Sequence, residues 1–494
     1  MDFVYGSVVT INKADRKVME ETLQTINNIL SDYILIVILL VAAVWFTIAT
    51  RGVQFTMFPE MCRLLVKSGL KDSDVPAGEI RRGKEAVSSF QAFMVSIASR
   101  VGTGNLAGVA TAIALGGPGA IFWMWVIALL GAATAFVEST LAQLYKIRGK
   151  DSSFVGGPAY YILRGLGKKW WAITFAVLIT LTFGLAYNTV QANTIAMAFE
   201  NTFSVSPLWT AIGLTLLTAI IICGGLKSVA NVSSVIVPVM AIGYIALAIV
   251  IIVVNIDRLP DVFRLIFANA FNIHSAVGGG LGMSIIMGIK RGLFSNEAGE
   301  GSAPNVAATA VVSHPVKQGL IQALGVFTDT ILICSCTAFI ILISGIYGSP
   351  GQADGIVLTQ QAIDLGLGHA GPGAIFVSIA IFFFAFTSIV ANYYYGETNL
   401  NFIRRSRLLI YFYRVIVALM VWIGSLSSLQ LVWGLSDLTM ALMTFCNVAA
   451  IALLGKYAVR CLNDYRRQLR EGRDPIYRSS TIPEISSITT AWDD

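Results

Sequence analysis

Two stretches of sequence decide the fold: SIASRVGTGNLAGVATAIALGG at 96–117 and GIKRGLFSNEAGEGSAPN at 288–305. Each lies in an otherwise apolar segment and is interrupted by glycine near its middle. The interrupting glycines are Gly102, Gly104 and Gly108 in the first stretch, and Gly292, Gly299 and Gly301 in the second. Unwound backbone in hydrocarbon leaves costly unpaired polar groups unless protein or a water-filled cavity surrounds it. The two stretches therefore predict two helices broken inside a membrane protein.

The composition supports this assignment to the membrane. The chain has 494 residues, 56% hydrophobic and 13% charged, with a mean hydropathy of +0.73. A soluble domain carries roughly 25% charged residues, so this chain cannot cover a water-exposed surface. At ~20 apolar residues per crossing, we expect about 11 transmembrane helices in an all-α protein. The predicted spans are 33–50, 88–115, 118–145, 171–199, 207–224, 231–255, 276–310, 318–346, 372–396, 408–425 and 429–455.

The basic residues give the orientation. If the first span runs from outside to inside, most of the 34 lysines and arginines fall in internal loops and in the tail. This bias predicts an external N-terminus, a cytoplasmic C-terminus and a multi-pass protein of the cell membrane. It also accounts for the net charge of +6 without a nucleic-acid partner.

The spans divide the chain into six segments. They are an external polar extension at 1–32, an accessory transmembrane helix at 33–50, a cytoplasmic basic loop at 51–87, five-helix repeats at 88–255 and 276–455, and a cytoplasmic basic tail at 456–494. The composition of the tail predicts partial flexibility. Between two spans, residues 351–369 predict an external loop with a short helix, which either covers a vestibule or serves as an ordinary connector.

The two interruptions share a spacing. Arg100 precedes Asn105, and Arg291 precedes Asn296, by five residues with glycine between. Repeats of five helices insert with opposite orientations, and broken helices at corresponding positions of inverted repeats indicate the midplane binding site of a secondary transporter. The alternative is that these glycines only allow close helix packing.

Several longer motifs are similar to a known family. The stretch Gly116–Gly131, GGPGAIFWMWVIALLG, resembles the signature of the alanine or glycine:cation symporters, also called sodium:alanine symporters. The other resembling stretches are SRVGTGNLAGVA at 99–110, GGPAYYI at 156–162, RGLFSNEAG at 291–299 and FAFTSIVANYYYGE at 384–397. The resemblance covers about residues 33 to 455. One departure is Glu300, where the family pattern leads us to expect a small or apolar residue.

The resemblance implies a sodium-coupled importer of alanine, and often glycine. It implies the leucine-transporter-type fold of inverted five-helix repeats, with one extra N-terminal helix. Alanine or glycine would be the small-molecule partner and Na+ the co-transported ion; we expect no organic cofactor and infer no obligate protein partner. A proton-coupled carrier, or a symporter of broader range that accepts serine, remains the alternative on the same fold.

A zwitterionic amino acid needs donors for its carboxylate and acceptors for its ammonium group. Half-helix N-termini supply donors and unwound carbonyls supply acceptors. We assign the carboxylate to Thr103, Gly104 and Asn105; Asn105 could instead be only a helix N-cap. We assign the ammonium group to carbonyls of Gly292, Phe294, Ser295 and Asn296, with Phe294 limiting side-chain room or simply packing. Gln191 faces the same cavity or joins two helices by a hydrogen bond.

Sodium prefers hard oxygen ligands. Thr387 and Ser388 are adjacent hydroxyl residues in the ninth span. Carried over from the shared fold, they would pair with the carbonyls of Ala98 and Val101. The alternative is that both hydroxyls bond back to their own helix.

Ionisable residues at membrane depth are costly and suggest function. They are Arg100, Glu138, Lys290, Arg291, Glu297, Glu300, Asp329 and Asp437. We expect mostly structural or gating ion pairs among them. The two inequivalent breaks in one chain disfavour a channel built from repeated filter loops. The scattered histidines and the six cysteines lack the spacing of a metal site or of an enzyme centre.

Overall fold

The computed structural model describes residues 13–70, 87–149, 153–223, 225–271, 280–348, 353–368 and 371–492. Almost all of them are helical. The α-helices are α1 (Lys13–Ile29), α2 (Leu35–Ala49), α3 (Val53–Thr56), α4 (Phe58–Leu70), α5 (Ser89–Arg100), α6 (Val109–Gly116), α7 (Ala120–Leu144), α8 (Pro158–Leu166), α9 (Lys169–Leu181), α10 (Asn188–Phe203), α11 (Pro207–Ile222), α12 (Gly225–Val254), α13 (Leu259–Ala270), α14 (Gly280–Asn296), α15 (Ala303–Ala307), α16 (Pro315–Val326), α17 (Ser335–Ser344), α18 (Gly355–Leu367), α19 (Pro372–Ile403), α20 (Arg407–Leu426) and α21 (Leu429–Arg470).

In the part of the chain that the structure describes, four π-helical segments join consecutive helices. They are Leu30–Ile34, Gly104–Gly108, Thr182–Tyr187 and Phe327–Cys334. A short antiparallel pair, β1 (Ile147–Arg148) and β2 (Phe154–Val155), follows α7. Short 3-10 turns occur at Ile256–Arg258, Ser479–Thr481, Pro483–Ile488 and Thr490–Trp492. π-Helical turns often mark functional sites. Three of the four π-helical segments contact the site described below.

The helices match the predicted spans. Within the described residues, eight helical runs are long and apolar enough to cross a membrane, and each overlaps a predicted span. The remaining three predicted spans are the two broken ones, 88–115 and 276–310, and 207–224, which corresponds to the shorter helix α11. The all-α membrane fold with two broken helices is therefore confirmed, while the number of crossings stays a prediction.

The first helix differs from its prediction. The expected polar extension 1–32 is helical from Lys13 onward and continues into the first span. Polar side chains explain why this part remains against the bundle: Asn27 Nδ2 donates to Gly434 O at 2.8 Å, and Ser31 Oγ donates to Asp437 O at 3.1 Å, both on α21. These bonds give a polar segment buried partners in place of water.

Helix α7 lies at the centre of the bundle, where it packs against α14 and α16. Glycines allow the close approach: a Cβ added to Gly288 would lie 2.6 Å from Trp123 Cβ, and one added to Gly292 would lie 2.8 Å from Ile127 Cγ2. A second group forms where α10 packs against α19 and α20. Helix α18, in the predicted loop 351–369, packs on the second half of the first broken helix through Thr359 Oγ1, which donates to Leu106 O at 3.0 Å.

The C-terminal tail also differs from its prediction. Instead of a flexible segment, the residues after α21 pack back on the bundle. Tyr477 N–H donates to Ser313 O at 2.9 Å, and Trp492 Nε1 donates to Gln143 O at 3.2 Å. Lys146 Nζ lies 4.4 Å from the centroid of the Trp492 ring. Scattered apolar residues, rather than overall polarity, anchor this segment, since Tyr477, Ile482 and Ile485 are buried.

Asp474 ties the start of this tail to the bundle. Its carboxylate accepts from Lys317 Nζ at 2.8 Å and lies 3.5 Å from Lys67 Nζ. Partial burial acts to raise the pKa of Asp474, but the hydrogen bond and charge of Lys317, with the charge of Lys67, outweigh it and hold the pKa below its ordinary value. A lowered folded-state pKa means that this stabilisation is present above the ordinary value and disappears as the pH falls through the lowered one.

We expect Asp474→Asn to loosen the tail at neutral pH. The carboxylate is 56% exposed, so the pair contributes about 1 kcal/mol or less, and tail opening should increase about 2- to 5-fold. Hydrogen exchange of the amides in 475–492 measures this increase. The difference from the unmodified protein should disappear only as the pH falls below the ordinary carboxyl value of about 3.9 and through the lowered pKa of Asp474, where the carboxylate itself becomes neutral. Glu471→Gln, which removes an exposed partner of Arg473, is the control; equal exchange in both variants would contradict the assignment.

Candidate functional site

The first broken helix opens between α5 and the π-helical segment Gly104–Gly108. Val101 has φ −79° and ψ 94°, so the chain leaves the helix there. Asn105 Oδ1 accepts from Gly102 N–H at 2.9 Å and so ties the two sides of the break. Thr103 donates twice to Gln191 Oε1, from its N–H at 3.1 Å and from its hydroxyl at 2.8 Å. The predicted residues Thr103, Asn105 and Gln191 therefore form one hydrogen-bonded group.

The second break occupies the later part of the predicted interruption. Helix α14 continues to Asn296, and the chain unwinds over 297–302, where φ is positive at Glu297 (57°), Gly299 (91°) and Gly301 (83°). Glycine tolerates this left-handed region, which other residues rarely adopt. Gly292 is helical, so the expectation that its carbonyl lines the break is wrong; its missing side chain instead admits Ile127.

Glu138 of α7 holds the unwound backbone. Its carboxylate accepts from Gly299 N–H at 3.2 Å and from Gly301 N–H at 3.1 Å. Asn447 Nδ2 donates both to this carboxylate and to Gly299 O, each at 2.8 Å. Side chains of α7 and α21 thus satisfy the backbone groups that the broken helix cannot pair itself, as burial requires.

The two breaks meet. A Cβ added to Gly104 would lie 3.0 Å from Ser295 Cα and 3.2 Å from Phe294 Cδ1, so the first break touches the last turn of α14. Phe294, Ser295 and Asn296 end α14, where helix carbonyls lack partners in the next turn. The structure thus brings Gly104 and Asn105 next to Ser295, as the sequence analysis expected.

Asp329 joins both broken helices. This fully buried residue lies in the π-helical segment Phe327–Cys334. Its carboxylate accepts from Asn105 Nδ2 and Ser295 Oγ, both at 2.7 Å, and from Thr330 Oγ1 at 2.8 Å. Asn296 Nδ2 donates to the same Thr330 hydroxyl at 3.2 Å. One carboxylate therefore fixes the relative position of the two breaks.

Aromatic rings close one side of this meeting point. The Phe294 ring lies 4.5 Å from Tyr187 and 4.6 Å from Trp433, measured between centroids. Arg291 Cζ lies 4.0 Å from the centroid of Trp433. The rings leave little width beside Phe294, which restricts the size of a side chain that could lie there.

An ion-pair network lies one turn before this aromatic cluster on α14. Arg291 donates to both carboxylate oxygens of Asp437, at 3.2 and 2.9 Å. Lys290 Nζ lies 3.0 Å from Asp437 and 2.6 Å from Asp32 of the first helix. Two cations and two anions of α14, α21 and the first helix are therefore paired over the aromatic rings.

The residues proposed for sodium divide into two kinds. Ser388 Oγ donates to Ala98 O at 2.8 Å, across to the first broken helix, and also to Phe384 O at 2.9 Å. Thr387 Oγ1 donates only to Phe384 O, at 2.9 Å, in its own helix. Val101 follows Arg100 at the break and is fully buried. Ser388 thus meets the predicted carbonyl, whereas Thr387 follows the back-bonded alternative.

The ionisable residues are paired less often than expected. Among the described residues of that predicted set, the ion pairs are those of Lys290 and Arg291 with Asp437, together with Asp32. Neutral donors satisfy the other acids: Ser99 and Ser302 donate to Glu297 at 2.6 and 2.5 Å, and Tyr187 donates to Glu300 at 3.0 Å. Hydroxyl and backbone donors can satisfy a buried carboxylate without the desolvation of a second charge.

Sequence reasoning did not include Asp329, Tyr187 or Trp433 in the site. Asp329 carried a signal, because it is an acid at membrane depth. Tyr187 and Trp433 could not be recognised from the sequence, because aromatic residues are abundant throughout the spans. Their contacts with Phe294 depend on how the segment before α10 and helix α21 pack.

Comparison with known proteins agrees with this architecture. The profile of the sodium:alanine symporter family matches residues 16–479. The amino-acid carrier protein AlsT of Bacillus subtilis is 50% identical over 96% of this chain and 99% of its own length. The probable sodium/glutamine symporter GlnT of the same organism is 47% identical over 96% of each chain.

A solved structure shares the fold. MhsT, crystallised with L-phenylalanine, aligns with a TM-score of 0.52 at 16% sequence identity and covers 82% of this chain and 93% of its own. The leucine-transporter-type architecture is therefore confirmed, and the relatives are transporters and not enzymes. The family profile and the relatives, which extend over nearly the whole length, show that this chain belongs to the sodium:alanine symporter family.

Proposed function

We propose that this protein is a sodium-coupled symporter that imports alanine, and also glycine, by alternating access. Membership of the family supports transport of an amino acid with a cation. The observation that carries the proposal is the convergence of the two broken helices, with Gly104 of the first break against Ser295 in the last turn before the second break. Two breaks facing one point can offer donors and acceptors to a zwitterion in a membrane interior.

The first break would bind the carboxylate. Thr103 and Gly104 begin a new helical segment, where backbone N–H groups point outward and favour an anion. Thr103 already donates two hydrogen bonds to one amide oxygen, that of Gln191. A substrate carboxylate would accept the same two hydrogen bonds in place of this oxygen. Asn105 would stabilise the conformation of the break through its hydrogen bond from Gly102 N–H.

The second break would bind the ammonium group. Phe294, Ser295 and Asn296 end α14, and their carbonyls are acceptors of the kind an ammonium group needs. The Phe294 ring, confined by Tyr187 and Trp433, would limit the substrate side chain. Each extra methylene would cost about 1 to 3 kcal/mol in such a pocket, which favours alanine and glycine.

Sodium would bind where α19 faces the first broken helix. The ligands we propose are the carbonyls of Ala98 and Val101 and the hydroxyls of Ser388 and Thr387. The contact between Ser388 Oγ and Ala98 O supports this location, because both oxygens could turn toward one cation there. Bound sodium would fix the first break and so favour substrate binding.

We expect Ser388→Ala to raise the sodium concentration needed for half-maximal uptake about tenfold. Loss of one hydroxyl ligand costs about 1.5 kcal/mol, and 1.4 kcal/mol is a tenfold change. Thr387→Ala should raise it only about 2- to 3-fold, because this hydroxyl bonds within its own helix and, unlike that of Ser388, makes no hydrogen bond to the first broken helix. Thr174→Ala, which removes an exposed hydroxyl on α9, is the control. If Thr387→Ala leaves the sodium concentration for half-maximal uptake unchanged, Thr387 is not a sodium ligand. If Ser388→Ala leaves it unchanged, the proposed sodium site is wrong.

Uptake into proteoliposomes tests the proposed function. Radiolabelled alanine would be offered with an inward gradient of sodium, of potassium or of protons, with unlabelled glycine, serine and glutamine as competitors. We expect accumulation only with sodium, and competition by glycine. Uptake driven by the proton gradient alone would support the proton-coupled alternative, and competition by serine the broader one.

We also propose that the protein lies in the cell membrane with its N-terminus outside and its C-terminus in the cytoplasm. The distribution of lysine and arginine supports this orientation. Protease treatment of intact and inverted membrane vesicles, with an epitope at either terminus, tests it; cleavage of a C-terminal epitope on intact cells would refute it.

A further inference from the structure

A cavity of about 410 Å³ lies between the end of α19 and the start of α20. None of its lining residues belongs to either helix break. Its lining includes Glu397, Arg405, Ser406, Arg407, Tyr411 and Arg414. The turn that joins the two helices contains Arg405 and Ser406, and Arg407 is the first residue of α20. The charge distribution assigns this turn to the cytoplasmic surface, where helices leave the hydrocarbon and meet the lipid headgroups.

The cavity has an excess of positive charge. Arg414 is engaged, since Nε donates to Tyr393 O–H at 2.8 Å and Nη2 lies 3.7 Å from Glu397 Oε1. Arg405 and Arg407 are exposed, and no acidic side chain pairs with either among the described residues. Three guanidinium groups therefore face one carboxylate. Guanidinium groups bind phosphate oxygens in pairs, which suits them to a phosphate group.

An apolar surface begins directly beside these arginines. Leu408 is 79% exposed, and Phe412, Val415 and Leu419 follow it at spacings of four, three and four residues, all exposed. This spacing places them on one face of α20. Tyr411, also exposed, lies at the same level as the cavity, where tyrosine is enriched between headgroups and acyl chains. The exposed face thus passes from basic to aromatic to aliphatic along one helix.

We propose that this cavity binds the headgroup of an anionic phospholipid, with the acyl chains along the exposed face of α20. Arg405 and Arg407 would bind the phosphate. Ser406, which lies between them in the chain, is uncharged and would not repel the phosphate. A free phosphate ion would use the arginines but not the aliphatic face, so the combination selects a lipid. Basic pockets between transmembrane helices at the cytoplasmic side are suited to such headgroups.

Native mass spectrometry of the purified protein tests this site. Phosphatidylglycerol and phosphatidylcholine with identical acyl chains would be titrated separately into the detergent-solubilised protein. We expect at least about tenfold tighter binding of phosphatidylglycerol, because the arginines repel the choline cation that neutralises the phosphate of phosphatidylcholine. The double variant Arg405→Gln, Arg407→Gln should bind phosphatidylglycerol at least about fivefold more weakly. Each single variant should show a smaller loss of affinity.

The control removes the same charge elsewhere. Arg470→Gln with Arg478→Gln takes away two exposed arginines of the C-terminal region, and it should retain binding. Inorganic phosphate or glycerol phosphate at the lipid concentration should not compete. An unchanged preference in the Arg405, Arg407 variant, an equal loss in the control, or full competition by inorganic phosphate would each overturn the proposal. Because the assay measures binding alone, its result is independent of whether the protein transports alanine.

Discussion

Replacing Asp329 by leucine is expected to lower alanine uptake at least about 100-fold. Asp329 accepts hydrogen bonds from Asn105 on the first broken helix and Ser295 on the second, and from Thr330. Leucine is similar in size but leaves these buried donors unpaired, at about 1 to 3 kcal/mol each. Asn105 and Ser295 would then move to find other acceptors and carry both breaks with them, so the proposed site would lose its geometry.

Asp329→Asn should be less severe, with uptake reduced about tenfold. Its amide keeps one acceptor oxygen, and the hydroxyls of Ser295 and Thr330 can rotate to accept from its NH₂ group at a cost of about one hydrogen bond. Initial rates of sodium-driven uptake measure both variants, with the melting temperature as a check on folding. Asp257→Asn, at an exposed carboxylate, is the control. A well-folded Asp329→Leu protein with uptake within threefold of the unmodified one would refute this role for Asp329.

Gly104→Val is expected to lower uptake about 10- to 100-fold, because it forces the two breaks apart. A single added Cβ would already lie 3.0 Å from Ser295 Cα, which is backbone and cannot rotate away. Valine adds two further methyl groups, and overpacking of this kind costs about 1 to 3 kcal/mol. Gly104→Ala should give a smaller loss, since the neighbouring atoms need to move only a few tenths of an ångström.

Gly213→Val provides the matched control for this substitution. Gly213 is also within a helix, but apart from its chain neighbours and its own helix backbone, no atom lies within 4 Å of the position its Cβ would occupy. Its uptake and expression should match those of the unmodified protein. If Gly104→Val and Gly213→Val transport alanine equally well, the two breaks do not form a shared site, and the proposed function loses its main support.

The sequence predicted both broken helices, and of the three glycines it named in the second, Gly299 and Gly301 lie in the break whereas Gly292 does not. Glycine served as the signal in each, yet glycine has two roles in a membrane helix. At Gly299 and Gly301 it adopts a backbone conformation that other residues rarely adopt, and the helix ends. At Gly292 it makes room for Ile127 while the helix continues. Only the neighbouring helix distinguishes these roles, so the bounds of the break could not be located from the sequence.

The pairing of charges was also beyond the sequence. Lys290, Arg291 and Asp437 form the ion pairs that were expected, whereas Glu138 binds two backbone N–H groups of an unwound segment. Which partner a buried carboxylate finds depends on where the unpaired backbone lies. The ionisable residues at membrane depth therefore pointed to the region of the helix breaks. Their individual partners could be assigned only from the three-dimensional arrangement.

The first helix contributes a charge to the ion-pair network of α14. Its Asp32 supplies the second anion beside Lys290, the other being Asp437. Without Asp32, Lys290 and Arg291 would share one carboxylate among the described residues, and one buried cation would lose a partner. The leading helix therefore completes the charge balance of α14 and cannot be removed without also replacing the lysine.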